Sequence, residues 1–515
     1  MATLVSLHTP EAPWSYRDGS IIVGKDILEI LSSAMYVDPL AIYREYIQNA
    51  ADSVDEAHNT GILGKEEEGN VEIEIDLASR TAKIRDNGTG VPAAEFDTRM
   101  TAFGASSKRN TNSRGFRGVG RLSGLGYCQE LLFRSRYSGE TSVSELRWDC
   151  RKARTLLRSA DPSCDLTTVV GKSVQARRVD GRKWPEHFFE VELRGVTRLR
   201  NDWLLNTTVI EEYLSQVAPI SFSPQFRFGG DIASMLGDHV GVTNMSLKLA
   251  NNKGPTFRPH RDSFDVAGGT DMFEELQRVD IPGLDGGTAA VGWILHHGYK
   301  GAVPSANLKG LRLRSGNIQV GGSGLLEDLF AEPRFNSWCV GEIHILDQRI
   351  LPNGRRDHYE QNAHYYNLVN HLSPIAREVS NRCRSSSIKR NWLRQFALHK
   401  FAISENAAII RQGGVNLVQR KQLEADIARS LEDMRKIAGK DPLSREAKSS
   451  LRPAIKRVER TLSKLLNADF RAKALADLPS QKRRAYEQVL SLVYECSPSR
   501  SVAKSLVDKI LSRLS

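Results

Sequence analysis

The spacing of apolar residues predicts an amphipathic helix over residues 40–57. Asp38 and Pro39 precede it and are typical of a helix start, because an acid can cap the first turn and proline lacks an N–H that would need a partner there. The apolar positions recur with the period of an α-helix and are Tyr43, Ile47, Ala50 and Val54. The opposite, polar positions are Glu45, Asn49, Asp52 and Glu56. These residue types can polarise a water and ligate Mg²⁺, but on their own they fit a solvated helix face equally well.

Alternating residues predict two strands after this helix, at residues 71–77 and 81–86. The second strand runs directly into the pentapeptide DNGTG, residues 86–90. Glycine and asparagine supply the positive φ angles of tight turns, so the pentapeptide alone indicates only a turn. Because it follows a strand, however, it would hold the carboxylate of Asp86 rigidly.

A glycine-rich, cationic segment follows at residues 103–128. Its glycines are Gly104, Gly115, Gly118, Gly120, Gly124 and Gly126. Its cationic residues are Lys108, Arg109, Arg114, Arg117 and Arg121. Successive backbone N–H groups in such a loop suit a phosphate chain. A disordered surface loop is the alternative interpretation of the glycines.

The remaining patterns divide the chain into three predicted domains. A strand at residues 187–196 and a helix at 206–219 complete a first domain over residues 1–220. Short apolar strands between glycine turns predict a second αβ domain over residues 225–384. Residues 385–515 have helical spacing. We therefore expect an α+β protein with a helical C-terminal region.

Two apolar stripes predict a helical hairpin in the C-terminal region, separated by the turn at residues 441–444. The first stripe is Leu423, Ile427, Leu431 and Met434. The second stripe is Leu451, Ile455, Val458, Leu462 and Leu465. A last helix would use Val502, Leu506, Ile510 and Leu514 or their neighbours. Helical ends of this kind often form dimers.

Positive charge is concentrated in the same region. Residues 385–515 contain 27 Lys and Arg against 13 Asp and Glu, whereas the rest of the chain has a net charge of −3. Duplex nucleic acid, bound through its phosphates, is therefore an open alternative as a partner. Few aromatic residues interleave with the cations, so stacking on single strands is not favoured. The densest cationic clusters are Lys456-Arg457 with Arg460, and Lys482-Arg483-Arg484.

Six scattered cysteines without a CxxC pair indicate neither a zinc site nor a disulfide framework, and they favour a reducing compartment. No apolar run is long enough to span a bilayer, and the N-terminal residues contain no signal-peptide core. We therefore expect a cytoplasmic protein that does not bind membranes.

The helix with Glu45 and Asn49, the pentapeptide at 86–90 and the glycine-rich segment together resemble the ordered signature of the GHKL ATPases. That superfamily includes gyrase-type topoisomerases, ninety-kilodalton heat-shock chaperones, sensor histidine kinases, MutL and the MORC proteins. The chain is most similar to the chaperone and MORC branches. The residues that carry this similarity are Tyr36, Arg44, Glu45, Asn49, Ala50 and Asp52.

The resemblance implies that Glu45 is the general base and that Asn49 is the ligand of Mg²⁺ beside bound ATP. Asp86 would accept the adenine amino group, and Asp52 would support the base pocket. The residues implied near the base and in the lid over the phosphates are Gly88, Gly90, Lys108, Gly115, Gly118, Val119 and Gly120. GHKL proteins usually also bind adenine through a threonine of a Gly-Thr pair that opens the last strand of the sheet. The strand at 187–196 has no such pair, and Thr168 is the nominee.

Residues 351–357 (LPNGRRD) resemble the catalytic loop through which the transducer domain of GHKL proteins reaches the γ-phosphate. Taken alone, the segment indicates an exposed turn. The chaperone branch has a similar but longer segment, so Arg356 and Arg355 are both candidates, with Arg356 favoured. An arginine there would neutralise charge that develops on the transferred phosphoryl group.

The resemblance implies a Mg²⁺-dependent ATPase that acts as a nucleotide-gated homodimeric clamp on a protein client, as the heat-shock chaperones do. One alternative is a MORC- or MutL-like clamp in genome defence or maintenance, whose basic C-terminal region holds duplex DNA. Another alternative is a scaffold that binds nucleotide without hydrolysing it, which the presence of Glu45 disfavours.

Overall fold

The computed structural model describes residues 24–25, 28, 38–103, 120–161, 164–237, 239–240, 245–250, 254–267, 269–443, 445, 447–467 and 472–514. Within these residues the chain forms two β-sheets with flanking helices, followed by a region of helices alone. The expected α+β class is confirmed. No helix in the described part of the chain is long and apolar enough to cross a membrane.

The first sheet contains seven strands. In chain order they are β1 (Gly69–Asp76), β2 (Thr81–Asp86), β3 (Glu130–Arg136), β4 (Ser142–Asp149), β5 (Val174–Asp180), β6 (Phe188–Arg194) and β7 (Met245–Leu249). Their spatial order is β5-β4-β3-β6-β2-β1-β7, and only the β1–β7 pair is parallel. The strands predicted at 71–77, 81–86 and 187–196 are β1, β2 and β6. Because β2 and β6 are antiparallel neighbours, the end of β2 lies beside the start of β6.

Helices cover this sheet. They are α1 (Ala41–Asn59), α2 (Ala93–Thr101), α3 (Cys150–Leu157), α4 (Leu166–Ser173) and α5 (Thr207–Val217). The helix predicted at 40–57 is α1, and its apolar stripe is buried. Asp38 Oδ1 accepts a hydrogen bond from Leu40 N at 3.0 Å, but the residue that caps the helix is Leu40, and no described side chain caps its first turn. Residues of α1 and α5 belong to the same hydrophobic core, so the two helices are packed together in the first domain.

The second sheet follows helix α6 (Gly229–Gly237) and has six strands. They are β8 (Ser263–Val266), β9 (Gly269–Pro282), β10 (Thr288–His297), β11 (Gly310–Ser315), β12 (Ile318–Val320) and β13 (Val340–Ile345). Their spatial order is β12-β11-β13-β10-β9-β8. One hydrophobic cluster joins this sheet to α6, and another joins it to the long helix α7 (Ala363–Gln412).

The predicted domain boundaries do not coincide with breaks in the structure. Strand β7 lies beyond residue 220 yet extends the first sheet by pairing in parallel with β1. Such a pairing is distant in sequence and leaves no local pattern. Likewise, α7 passes through residue 384 without interruption. It packs on the second sheet near its start and on the C-terminal helices near its end.

The C-terminal region contains α8 (Leu417–Ala438), α9 (Arg452–Leu466), α10 (Lys473–Ala476), α11 (Ser480–Cys496) and α12 (Arg500–Leu514). The two predicted stripes on α8 and α9 pack in one cluster with the end of α7. On α12 the buried positions are instead the neighbours Ala503 and Val507, whereas Val502 and Leu506 are 44% and 43% exposed. A shift of one residue turns a helix face by about 100°. Which face of α12 is buried is therefore decided by its contact with α10 and α11, and residue spacing alone does not identify that face.

Candidate active site

Glu45 on α1 is enclosed, unlike a residue on a solvated helix face. Only 6% of the residue is exposed. Its Oε1 lies 3.3 Å from Nη2 of Arg44 and 3.7 Å from Nε of Arg356, which follows the second sheet. On the other side, a Cβ added to Gly120 would be 2.3 Å from Oε2 of Glu45. The carboxylate is therefore held between two guanidinium groups and the end of the glycine-rich segment.

The turn at residues 86–90 is built onto α1. Asp86 is buried at the end of β2, and its Oδ1 accepts a hydrogen bond from Gly88 N at 3.0 Å. Thr89 N donates to Ser53 O of α1 at 3.3 Å. A Cβ at Gly88 would lie 2.6 Å from the carbonyl carbon of Ser53, so glycine permits this approach. The turn and the helix thus form one unit that carries both Glu45 and Asp86.

The far side of the turn meets the ends of β3 and β6. Gly90 has a φ of +72°, and a Cβ there would be 2.1 Å from Arg136 O, so only glycine fits. His187, immediately before β6, donates from Nδ1 to Gly88 O at 2.8 Å. His187 was not among the predicted site residues. The sequence shows that His187 opens the predicted strand at 187–196. It does not show that this strand pairs with β2, which is what brings His187 to the turn.

Thr168, the predicted adenine-binding threonine, does not lie at the turn of residues 86–90. It lies in the first turn of α4, where its N–H donates to Asp165 Oδ1 at 2.8 Å. Helix α4 leads into β5, and three strands separate β5 from β2. The side chain that approaches the turn from the neighbouring strand is that of His187.

Asn49 and Asp52 follow Glu45 along α1. Asn49 is partly exposed and Asp52 is buried. The described residues contain no group of three His, Cys, Asp or Glu side chains that could hold a metal ion. The amide oxygen of Asn49 nevertheless fits Mg²⁺, because this ion takes oxygen ligands and keeps waters and phosphate oxygens as most of them.

A 3₁₀ turn at Gly120–Gly126 anchors the end of the glycine-rich segment to α1. Gly124 N donates to the hydroxyl oxygen of Tyr46 at 3.0 Å, and Tyr46 is buried one residue after Glu45. The described end of the segment therefore lies beside Glu45. The other predicted lid residues, Lys108, Gly115, Gly118 and Val119, lie outside the described residues.

The LPNGRRD loop at residues 351–357 directs Arg356 towards Glu45. Arg356 is 8% exposed and has a φ of +56°, which is uncommon for a residue other than glycine. Its carbonyl oxygen accepts a hydrogen bond from Gly321 N at 2.9 Å. Arg355 is exposed, and its carbonyl oxygen accepts from Arg44 Nη2 at 3.2 Å. The structure thus brings the side chain of Arg356, and only the backbone of Arg355, to the site.

Residues 41–173 match the domain family described as histidine kinase-, DNA gyrase B- and HSP90-like ATPase. This segment is a GHKL ATPase domain. The predicted superfamily is confirmed, and the matched segment contains Glu45, Asn49 and Asp86. His187 and Arg356 lie beyond it, so the candidate site combines the GHKL domain with residues that follow it in the chain.

Two curated relatives of the GHKL domain are chaperone proteins named HtpG. The chain is 25% identical over 139 residues to HtpG of Polaromonas naphthalenivorans and 26% identical over 143 residues to HtpG of Geobacter metallireducens. Each comparison covers 24% of this chain and 22% of the relative. The chain therefore spans less than a quarter of the length of these relatives, and the similarity to them is distant.

Proposed function

We propose that this chain hydrolyses ATP with Mg²⁺, using Glu45 as the general base and Arg356 as the cation that neutralises the transferred phosphoryl group. The proposal rests above all on the 3.7 Å approach of Arg356 Nε to Glu45 Oε1. The base belongs to the GHKL domain and the arginine to the loop after the second sheet. Turnover therefore requires both parts of the chain to be in place.

The remaining groups would bind and orient the substrate. Asp86 would accept the adenine amino group, with its carboxylate oriented by Gly88 N. Asn49, one turn after Glu45, would hold Mg²⁺, which when bound offsets the charge of the phosphate oxygens. Glu45 would take the proton of the attacking water. These groups lie on α1 or on the turn packed against it, so their relative positions are set before substrate binds.

The first test is hydrolysis by the full chain. We expect steady release of phosphate from ATP in Mg²⁺, loss of that activity in excess EDTA, and recovery when Mg²⁺ is restored, because the charge on the triphosphate must be offset. A preparation that is folded by circular dichroism but releases no phosphate in Mg²⁺ would contradict the proposal. Calorimetric titration with ATP would then show whether nucleotide is bound without being hydrolysed.

For the biological role, we propose a cytoplasmic, chaperone-like homodimeric clamp that acts on a protein client. The distant similarity to HtpG supports this role. It is also supported by large apolar side chains exposed on α11 and α12, which are Val489, Leu492, Val502 and Leu506. Sedimentation of the full chain, with the specific activity measured across protein concentration, tests the dimer. A chain that stays monomeric at the highest concentration with ATP present would contradict it.

The second candidate role is a clamp on duplex DNA, and a surface of α9 favours it. Four exposed cations recur at every fourth residue and form a cationic row: Arg452, Lys456, Arg460 and Lys464. None of the four forms an ion pair with another described residue. The row is about 18 Å long at 1.5 Å per residue. It could therefore contact several phosphates of one duplex.

Replacing all four residues of the cationic row with glutamate should abolish salt-sensitive binding to duplex DNA. In the wild type, each phosphate contact should make the slope of log affinity against log salt more negative by about 0.9. A mobility shift at several salt concentrations measures this slope. The matched control reverses four exposed cations of the first domain: Arg151, Lys152, Lys172 and Lys183. Equal losses of DNA affinity in the two variants would show that DNA responds only to net charge and not to the cationic row. Absence of DNA binding by the wild type would rule out the role as a DNA clamp.

A further inference from the structure

A run of hydrogen bonds begins at the C-terminal end of α5 and enters the second sheet. Arg312 of β11 donates from Nη1 to Gln216 Oε1 and to Gln319 Oε1, each at 2.9 Å. Its Nη2 donates to the carbonyl oxygens of Ala306 at 2.8 Å and Lys309 at 3.0 Å. Burial lowers the pKa of Arg312 to about 10, so the guanidinium remains charged at neutral pH. It is thus a fixed link between α5 and β12.

Gln319 continues the run towards the LPNGRRD loop. The residue is 3% exposed, and its Nε2 donates to Gly321 O at 2.9 Å. Its amide is therefore used at both ends, because the oxygen accepts from Arg312 and the nitrogen donates to Gly321. This orientation is required by the partners, since a guanidinium can only donate and a carbonyl oxygen can only accept.

Gly321 connects this run to Arg356 through the backbone. Gly321 N donates to Arg356 O at 2.9 Å. Gly321 has a φ of +72°, and a Cβ there would be 2.8 Å from Asp357 O, so the end of β12 and the loop are in close backbone contact. Arg356 has its own left-handed backbone at this contact, with a φ of +56°. A strained residue of this kind persists where surrounding groups hold it, and the bond from Gly321 is one such restraint.

The same end of α5 is held to the second domain by a second set of contacts. The guanidinium of Arg314 donates to Gln216 O, and Arg258 Nε donates at 2.7 Å to Ile220 O, three residues beyond the end of the helix. Both arginines pair with Glu342. Burial acts to raise the pKa of Glu342, but the two arginines hold it well below its ordinary value. Cations at a helix C-terminus are favourable because the helix dipole is negative there.

We infer that Gln319 is a positioning residue for Arg356, and that Arg312 ties the position of Arg356 to helix α5. This inference rests on the proposed function, because it assigns a task to the arginine of that reaction. Helix α5 also packs with α1, which carries Glu45. Glu45 and Arg356 are thus both positioned relative to helix α5. The hydrogen bonds through Gln319 keep the distance between Glu45 and Arg356 short.

The test is the variant Gln319→Glu, which replaces the amide nitrogen with oxygen. The side chain still accepts from Arg312, but it now opposes an oxygen to Gly321 O. This repulsion should shift the backbone of Gly321, whose N–H restrains Arg356 O in the loop. We expect kcat to fall by between about 10-fold and 100-fold, since a displacement of about 1 Å can cost that much. The dissociation constant for ATP should stay within about twofold of the wild type, because the groups proposed to bind adenine and Mg²⁺ are unchanged.

A double-mutant cycle separates positioning from general damage. In the Arg356→Ala background, Gln319→Glu should cause no further loss of kcat or of the single-turnover rate constant for hydrolysis. An equal loss in both backgrounds, or wild-type kcat in Gln319→Glu alone, would overturn the inference. If Arg356→Ala itself has wild-type kcat, the proposed role of Arg356 fails instead, whatever Gln319 does.

The matched control is Gln277→Glu in β9, the same substitution in the same sheet. Gln277 Oε1 bonds to His296 Nε2 at 2.6 Å and makes no contact in the run from Arg312 to Arg356. It should keep wild-type kcat. If Gln319→Glu does not fold, Gln319→Met preserves the length of the side chain, removes both hydrogen bonds and carries the same expectation. Wild-type kcat in a folded Gln319→Met would equally overturn the inference.

Discussion

Replacing Glu45 with glutamine should lower kcat for ATP hydrolysis by about two to four orders of magnitude, the usual contribution of a general base. Glutamine keeps the size of the side chain but cannot accept a proton from the attacking water. In the enclosed position of Glu45, Arg44 lies at 3.3 Å and Arg356 at 3.7 Å, and an amide in place of the carboxylate would also lose the charge that faces these two guanidinium groups. Phosphate release at saturating ATP measures the effect.

The control is a variant that fails at a different step. Asp86→Asn should lose affinity for ATP, because an amide replaces the acceptor proposed for the adenine amino group, whereas Glu45→Gln should bind ATP like the wild type. Isothermal titration of both variants separates the two defects. Wild-type turnover in Glu45→Gln would refute the assignment of the base, and loss of binding in that variant would indicate that Glu45 supports the pocket instead.

The local parts of the site could be predicted from the sequence because they depend on periodicity and turn chemistry. The spacing of Tyr43, Ile47, Ala50 and Val54 identified α1 and its polar side. Alternation identified β1 and β2, and the turn after β2 followed from its glycines. These signals lie within a few residues of one another, so a single chain displays them.

The contacts between distant segments could not be predicted in this way. Arg44 adjoins Glu45 in sequence, but its bond to the carbonyl of Arg355 requires the second domain to be in place. His187 reaches Gly88 because β6 lies beside β2 in the sheet. Strand β7 pairs with β1 although the other five strands of the sheet lie between them in the chain. The contacts of His187 and β7 depend on the order of strands, and the contact of Arg44 depends on how the second domain packs on the first; local patterns encode neither.

The choice between Arg355 and Arg356 shows where sequence similarity reaches its limit. The loop is shorter than its counterpart in the chaperone branch, so the sequence alone does not show which of the two adjacent arginines corresponds to the catalytic one. In the structure they differ because Arg356 adopts a φ of +56° and its backbone is held by Gly321 and Asn353. That conformation turns its side chain inward to Glu45, while Arg355 remains exposed.

Replacing Arg356 with alanine should lower kcat at least about 100-fold, the usual cost of removing one group that stabilises developing charge. The physical reason is that the phosphoryl group gains charge during transfer, and the guanidinium near Glu45 is placed to offset it. The matched variant Arg355→Ala should change kcat by no more than about twofold, because its exposed side chain is replaced while the backbone carbonyl that accepts from Arg44 is kept. Single-turnover hydrolysis at saturating ATP measures both.

A lysine variant distinguishes the charge of Arg356 from its shape. Arg356→Lys keeps one positive charge but loses the planar fork, so its kcat should lie between those of the wild type and Arg356→Ala. Thermal unfolding should give wild-type midpoints for Arg355→Ala and Arg356→Lys, and a lower midpoint for Arg356→Ala, which removes a buried charge beside Glu45. Activities are therefore compared at a temperature at which all three variants are folded. If Arg355→Ala loses activity while Arg356→Ala retains it, Arg355 rather than Arg356 offsets the phosphoryl charge. If both retain activity, phosphoryl charge is offset without this loop, and the second domain has no part in the chemical step.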